Sequence, residues 1–183
     1  MKKQIDNVYM DMALILSRLS KSWRKKVGCL IVDFSSDIPR ILAEGVNGTI
    51  PGHSNECEDE NGITYDHVIH AEINALNKVK DYDLKKCTLY VTFQPCFCCA
   101  KEIVKSGISR VVYFKDYKNP SGVEYLLCNG VFVNKIDSNI SKLDLIELDY
   151  SGYLRDKGLK EQEVNKRVKM AREVGGLFYD FCS

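Results

Sequence analysis

The chain has 183 residues, of which 45% are apolar and 28% are charged, and 26 Lys and Arg nearly balance 25 Asp and Glu. This length and composition predict one folded domain that buries a core without disulfide bonds, and they argue against intrinsic disorder. The balanced charge argues against a nucleic-acid-binding protein, because such proteins usually carry a basic excess.

Eight cysteines are many for a chain of this length. The N-terminal segment lacks the continuous apolar stretch of a signal peptide, and no run of 18 apolar residues predicts a membrane span. We therefore expect a reducing, cytoplasmic location without membrane contact. In that compartment, clustered cysteines indicate metal binding or catalysis rather than disulfide bonds.

Apolar periodicity and turn residues predict alternating helices and strands along most of the chain. In chain order we predict a helix over 5–20, a hairpin of strands over 27–32 and 41–46, a helix over 70–79, a strand over 87–93, a helix over 96–106, a strand over 110–114, a helix over 121–127 and a short strand over 131–133. This alternation predicts an α/β layer architecture with crossover connections.

Three segments stand outside this alternation. Residues 47–66 are rich in Gly, Pro and Asn and predict a long loop, which in a compact domain is usually functional or mobile. The basic cluster 21–26 is either a solvated turn or an anion site, and the sequence favours neither. The tail after Leu159 has the apolar spacing of an amphipathic helix, weakened at Gly175-Gly176.

Two short motifs open predicted helices, His70-Ala71-Glu72 and Pro95-Cys96-Phe97-Cys98-Cys99. Together they match the H-x-E and P-C-x-x-C signature of zinc-dependent nucleobase deaminases. Zinc prefers nitrogen and thiolate ligands in a tetrahedron, and a catalytic site leaves one position for water. We therefore predict that His70, Cys96 and Cys99 hold one catalytic Zn2+.

The spacing of these residues explains the predicted mechanism. Cys96 and Cys99, at i and i+3, can point both sulfurs at one ion from a helix N-terminus, whose partial positive charge favours thiolates. Water in the open zinc position acidifies to a pKa of roughly 7 and attacks C4 of a pyrimidine as hydroxide. Glu72, two residues from His70, is predicted to shuttle the proton to N3 and then to the departing amine. Cys98 points to another helix face and is predicted to be a packing residue.

Further motifs accompany these two. They are Lys26-Val27-Gly28, Gly45-Val46-Asn47-Gly48 with Pro51-Gly52, the continuation Ile73-Asn74-Ala75, Thr88-Leu89-Tyr90-Val91-Thr92 and Ser106-Gly107-Ile108. With them the chain resembles the deoxycytidylate (dCMP) deaminases of the cytidine deaminase-like superfamily, over roughly residues 5–135. Asn74, the long loop before His70 and the short Cys96–Cys99 spacing favour this family over the tRNA adenosine and riboflavin-pathway deaminases.

The resemblance implies a three-layer α/β/α cytidine deaminase-like fold with a mixed central sheet of about five strands and an extra C-terminal helix. It implies a catalytic domain over 1–137 and a C-terminal extension over 138–183 that packs on the same domain or forms an oligomer interface. The implied reaction is hydrolytic deamination of dCMP to dUMP and ammonia, which supplies dUMP for thymidylate synthesis.

The resemblance also implies substrate contacts. Asn47 and Gly48 would lie over the deoxyribose and phosphate, the backbone of Ala71 would contact the pyrimidine edge, and Tyr117 would reach the phosphate. The alternative for Tyr117 is an aromatic residue on a surface loop. The family further implies a homo-oligomer, often a hexamer, with allosteric activation by dCTP and Mg2+ and inhibition by dTTP.

The sequence departs from the family pattern at two places. Asp81 stands where the family usually has a cation near the regulatory interface, which puts nucleotide regulation in question. Some phage members hold a second, structural zinc, and the loop does offer His53, Cys57 and His67. The early cysteine pair of those members is replaced here by Ser22-Trp23, so we do not expect a second zinc.

Several alternatives keep part of this prediction. The same chemistry could act on dCTP, on a 5-modified dCMP or on a polynucleotide, or the chain could be a catalytically dead, nucleotide-sensing module. The balanced charge and the long loop argue against a polynucleotide. The presence of Glu72 argues against a dead module, because zinc binding alone does not require it.

Overall fold

Four helices and seven strands follow one another along residues 2–136, which a computed structural model describes together with positions 158, 160 and 162. The elements are α1 (Lys2–Ser17), β1 (Gly28–Asp33), β2 (Arg40–Val46), β3 (Gly48–Thr49), β4 (Val68–Ile69), α2 (Ala71–Leu76), β5 (Cys87–Phe93), α3 (Phe97–Ser106), β6 (Arg110–Lys115), α4 (Ser121–Cys128) and β7 (Phe132–Lys135). The predicted extension over 138–183 and its helix lie almost wholly outside the described residues.

A mixed sheet with the strand order β2-β1-β5-β6-β7 forms the centre of the fold. β1 pairs antiparallel with β2 and with β5, as expected for the predicted hairpin, whereas β5, β6 and β7 run parallel to one another. This arrangement confirms the predicted α/β fold with about five mixed strands. The strands β3 and β4 form a separate two-stranded ladder, in which β3 lies inside the segment 47–66 that the sequence predicted as loop and β4 follows just after that segment.

Helices cover both faces of the sheet. Successive side chains of a strand point to opposite sides, so the buried strands present apolar side chains on both faces for helices to cover. On one face, a Cβ atom on Gly28 would meet the backbone of Ala13 in α1, and the Tyr90 hydroxyl reaches Asp6 of the same helix. The other face carries the main buried cluster, which joins the strands to α2, α3 and α4 and includes Cys29, Ile31, Ala71, Ala75, Leu89, Val91, Ala100, Ile103, Val111 and Leu126.

A buried ionic network fastens α1 to the sheet. The guanidinium of Arg110 donates two hydrogen bonds to Asp6, from Nη1 to Oδ1 at 2.8 Å and from Nη2 to Oδ2 at 2.7 Å. The hydroxyl of Tyr90 donates a third to Oδ1 at 2.7 Å. Burial, together with this bond to Asp6, raises the pKa of Tyr90. Three residues that lie far apart in sequence thus hold α1 across β5 and β6.

Two glycines let backbone segments lie in direct contact at the edge where the two motifs meet. A Cβ atom on Gly45 of β2 would be 2.1 Å from the carbonyl oxygen of Ala71 in α2. One on Gly122 of α4 would be 2.0 Å from the carbonyl oxygen of Pro95, directly before α3. Because the opposing atoms are backbone, any larger residue must displace the start of a motif helix.

We predict that Gly45→Ala and Gly122→Ala each lower the free energy of unfolding by about 3 kcal/mol, since the added methyl group overpacks against backbone. Urea denaturation followed by circular dichroism measures this. Gly48→Ala is the matched control, because its Cβ would meet nothing within 4 Å. Equal stability of all three variants would contradict the close-contact explanation.

Candidate metal centre and substrate pocket

The candidate site lies at one edge of the sheet. Cys96 follows the carboxyl end of β5, and Tyr117 follows that of β6. Because β1 runs antiparallel to β5, the start of β1 and the end of β2 lie at the same edge and bring Val27 and Asn47 there. The carboxyl ends of parallel strands are a common position for ligand sites in α/β sheets.

His70 and Cys96 each occupy the N-cap position of a helix, α2 and α3 respectively, with extended backbone and no capping hydrogen bond from the side chain. Their side chains instead meet each other. The Nδ1 atom of His70 lies 3.6 Å from the sulfur of Cys96 and 3.2 Å from the sulfur of Cys99. The structure therefore brings the three predicted ligands together, with all their donor atoms within 4.8 Å of one another.

This donor set fits one zinc ion. Zn–N bonds of about 2.0 Å and Zn–S bonds of about 2.3 Å at tetrahedral angles place nitrogen and sulfur ligands about 3.5 Å apart. The two distances from His70 Nδ1, 3.2 and 3.6 Å, lie on either side of that value. One imidazole and two thiolates also make up the three-ligand type of catalytic site, which leaves a fourth position open.

The two thiols are electrostatically unequal. A hydrogen bond from the Cys99 thiol, supported by the ring of His70, lowers the pKa of Cys96 to about 4, and the same bond raises the pKa of Cys99. The hydrogen bond with Cys96 also raises the pKa of His70. A thiolate therefore already lies among the donors, and binding of a divalent cation would release the remaining thiol proton.

Glu72 lies beside the three donors. Its side chain is only 4% exposed, and burial, more than any other effect, raises its pKa. It lines the same pocket as His70 and Cys96 and interacts with the Cys99 thiol. Glu72 therefore borders the donor set, and its role as a proton shuttle stays a prediction.

The predicted substrate residues are only partly gathered around this pocket. Asn47, Ala71 and Tyr117 line it, whereas Gly48 pairs with Ile69 in the β3–β4 ladder and does not contribute to the lining that the described residues form. The side-chain amide of Asn47 is engaged with backbone. It donates to the Lys25 carbonyl at 2.8 Å and accepts from the Val27 N–H at 2.8 Å.

Three charged residues of the pocket lining were not identified as site residues from the sequence. Arg24 and Lys25 of the basic cluster line the pocket, and the ammonium of Lys25 lies 4.7 Å from the ring centroid of Tyr117 and 5.7 Å from that of Phe93. The third is Glu58, from the middle of the long loop. The basic cluster signalled an anion site as one of two alternatives, but no sequence pattern distinguishes Glu58 from its acidic neighbours.

Two further sequence predictions concern Cys98 and the possible zinc ligands of the long loop. Cys98 is exposed on α3, so its prediction as a packing residue was wrong. Within the described part of the chain, no element packs over the face of α3 that carries Cys98. His53 and His67 of the long loop stack with ring centroids 5.2 Å apart, and Cys57 is buried. Among residues 2–136, no helix is long and apolar enough to span a membrane.

Comparisons with known proteins identify relatives of this chain. The family model for the cytidine and deoxycytidylate deaminase zinc-binding region matches residues 3–115. Human deoxycytidylate deaminase is 32% identical over 153 residues, which are 77% of this chain and 84% of the human protein. A tRNA-specific adenosine deaminase of Buchnera aphidicola is 34% identical over 142 residues, covering 74% of this chain and 76% of that protein.

Among solved structures, dCMP deaminase from the cyanophage S-TIM5 in complex with dCMP and dUMP has the same fold, with a TM-score of 0.68. It is 39% identical in sequence, and the match covers 74% of this chain and 99% of the phage protein.

We predict that the purified wild-type protein contains about one zinc per chain and that Cys96→Ser loses most of it, because a hydroxyl group is a much poorer zinc ligand than a thiolate. Cys98→Ser is the matched control, since Cys98 is exposed on the same helix and outside the donor set. Zinc content is measured by plasma mass spectrometry. Equal zinc in the two variants would show that the metal is bound elsewhere.

Proposed function

We propose, for a chain that belongs to the cytidine and deoxycytidylate deaminase family, that its reaction is the hydrolytic deamination of dCMP to dUMP and ammonia. One observation carries the proposal. His70 and Cys96, which form a donor set with Cys99, line a single pocket together with the buried carboxyl of Glu72 and with Lys25. The human and phage relatives named dCMP deaminases support the same substrate.

The chain's own residues divide the catalytic work. When held by His70, Cys96 and Cys99, zinc supplies Lewis-acid activation of water at neutral pH. Glu72 accepts a proton from the attacking water and delivers it to N3 of the pyrimidine, then takes the remaining proton of the added hydroxyl group and passes it to the leaving amine. Its burial keeps bulk water away from this transfer and strengthens its hydrogen bonds. The backbone of Ala71, at the base of the pocket, contacts the pyrimidine edge.

The phosphate group of the substrate is proposed to bind at the part of the pocket lining that contains Lys25 and Tyr117. Lys25 and Tyr117 lie together there, with the ammonium above the aromatic ring, so a cation and a hydroxyl group can meet the phosphate oxygens. Asn47 orients this wall, because its side-chain amide binds the backbone on both sides of Lys26. Recognition of a 5′-phosphate would separate this enzyme from deaminases of free nucleosides.

A second candidate function is deamination of a base within a polynucleotide. The identity with the tRNA-specific relative favours it. The formal net charge of +1 supports it poorly, since strand binding normally uses a basic surface. Deamination of dCTP or of a 5-modified dCMP would use the same residues, so only measurements of activity can distinguish these substrates from dCMP.

Several broader features rest on the family resemblance. We propose a homo-oligomer and a C-terminal extension over 138–183 that packs on the catalytic domain or forms an oligomer interface. Allosteric regulation by dCTP with Mg2+ and by dTTP is the family pattern, and Asp81 leaves its retention in this chain in question. A cytoplasmic location is supported by the seven cysteines that carry no disulfide bond in the described part of the chain.

We expect ammonia release from dCMP to exceed that from deoxycytidine, dCTP, 5-methyl-dCMP and a cytosine- or adenosine-containing oligonucleotide. Glu72→Gln is expected to keep zinc and to lower kcat at least about 100-fold, because the proton carrier is lost. Ultraviolet spectroscopy and ammonia detection measure turnover. Preference for the oligonucleotide would replace the proposed substrate, and normal turnover by Glu72→Gln would remove the proton-carrier role.

Lys25→Ala is expected to raise KM for dCMP about tenfold or more, because a charge-assisted contact to the phosphate is lost. The weak turnover of deoxycytidine, which has no phosphate, should not change. Lys21→Ala is the matched control, since Lys21 belongs to the same basic cluster but is exposed and outside the pocket lining. An equal loss for dCMP and deoxycytidine would place Lys25 in a structural role instead.

A further inference from the structure

Glu58 is a buried carboxylate in the pocket that the proposed mechanism leaves unused. Its side chain is 7% exposed, and it comes from the long loop before β4 to line the same cavity as His70, Glu72 and Lys25. Burial of a carboxylate is unfavourable unless its oxygens receive hydrogen bonds. The partners of Glu58 therefore indicate what this pocket is built to accept.

Uncharged donors from the basic cluster hold this carboxylate in place. The Ser22 hydroxyl donates to Oε1, and the backbone N–H of Trp23 donates to Oε2 at 3.3 Å. The Ser22 oxygen also accepts the backbone N–H of Lys25 at 3.1 Å. A second contact closes the same junction, since Arg24 Nη1 donates to the carbonyl of Gly62 at 2.7 Å. Glu58 is thus fixed next to the segment that presents Lys25.

The carboxylate keeps acceptor capacity on its pocket side. An ionised carboxylate offers about four lone-pair positions, and Ser22 and Trp23 occupy two of them. Within the part of the chain that the structure describes, no salt bridge involves Glu58, because Arg24 is directed to a backbone carbonyl. A buried acceptor-only group that borders a ligand pocket is suited to a ligand that brings a hydrogen-bond donor.

The proposed substrate has one donor left for this position. The amine of dCMP belongs at Glu72, where it leaves, and the phosphate at Lys25 has no proton to donate to a carboxylate. The 3′-hydroxyl of the deoxyribose lies between these two ends of the nucleotide. Glu58 is linked to the Lys25 segment through Ser22 and lines the same pocket as Lys25 and Glu72, so the sugar of a nucleotide bound between those two residues lies in the same pocket as Glu58.

We propose that Glu58 accepts a hydrogen bond from the sugar 3′-hydroxyl and thereby selects a mononucleotide with a free 3′ end. This inference rests on the proposed function. In a polynucleotide, the 3′ oxygen carries a phosphodiester instead of a proton, so the donor is lost and an anion is brought against a buried carboxylate. Repulsion between like charges of this kind is an effective means of rejecting the wrong ligand. Glu58 is therefore a specificity determinant of the deaminase pocket.

Three substrates test this proposal in the intact, zinc-loaded protein. They are dCMP, its 2′,3′-dideoxy analogue, which lacks the donor, and deoxycytidine 3′,5′-bisphosphate, which places an anion there. For the wild type we expect kcat/KM to fall about 10- to 100-fold for the dideoxy analogue, the range for a lost hydrogen bond to a charged group, and further for the bisphosphate. In Glu58→Ala, dCMP and the dideoxy analogue should differ by less than about threefold, and Glu58→Gln should turn over the bisphosphate better than the wild type.

Ser22→Ala tests whether Glu58 recognises the substrate or only stabilises the loop, because it removes a hydrogen-bond donor to Glu58 and leaves the carboxylate in place. If Glu58 only stabilised the loop, Glu58→Ala and Ser22→Ala would lower kcat/KM for all three substrates by one common factor, and that result would overturn the proposal. If the variants do not fold, the ratios of wild-type kcat/KM for dCMP to that for each of its two analogues still test the proposal. Equal wild-type turnover of dCMP and its dideoxy analogue refutes the role of Glu58 and leaves the deaminase function standing. Absence of wild-type turnover of dCMP refutes the proposed function itself.

Discussion

Two helix N-termini meet at one edge of the sheet, and the site depends on that meeting. The N-cap residues of α2 and α3, His70 and Cys96, place their side chains among the candidate metal donors and make none of the capping hydrogen bonds that such positions usually make. A lost cap costs roughly 1 kcal/mol per helix, which zinc binding easily exceeds. The positive ends of both helices also favour thiolates, so the helix geometry supports the chemistry of the ligands.

The scaffold holds these helix starts in place by close backbone contact. Gly45 lets α2 lie directly on β2, and Gly122 lets α4 press against the residues before Cys96. On the opposite face of the sheet, the bonds among Asp6, Tyr90 and Arg110 hold α1 across the central strands. A metal site whose donor atoms must all lie within 4.8 Å of one another requires such rigid support, because small displacements would separate its donors.

The part of the pocket lining around Lys25 and Glu58 is built differently from the candidate metal site, from two connecting segments rather than from helices and strands. Ser22 and Glu58 join the basic cluster to the long loop, and Lys25 lies on this joined wall next to Tyr117. A cation and a carboxylate in one wall suit a ligand with an anion at one end and a donor close by. A nucleotide carries both groups, a 5′-phosphate and a sugar 3′-hydroxyl, so one wall can select for both.

Local sequence was sufficient for the catalytic motifs. His70, Glu72, Cys96 and Cys99 are identified by spacing, because two or three residues within one helical turn share a direction. The strand over 87–93 and the helix that ends at Gly107 were also correctly bounded, since a continuous apolar run and a glycine at positive φ mark them. The predicted helix over 70–79 was too long, because the chain leaves the helix after Leu76 and continues in turns.

Only the tertiary structure revealed the rest of the pocket. The strands β3 and β4 have two residues each, which is too short to produce a periodic pattern, so neither was predicted from the sequence. Lys25 and Glu58 are 33 positions apart, and neither differs in its local sequence from the charged residues around it. What brings them together is their shared place in the lining of the pocket that His70 and Glu72 also line, which follows from strand pairing and loop docking. Chemistry within one helical turn can be read from sequence, whereas a wall assembled across the fold exists only once the chain has packed.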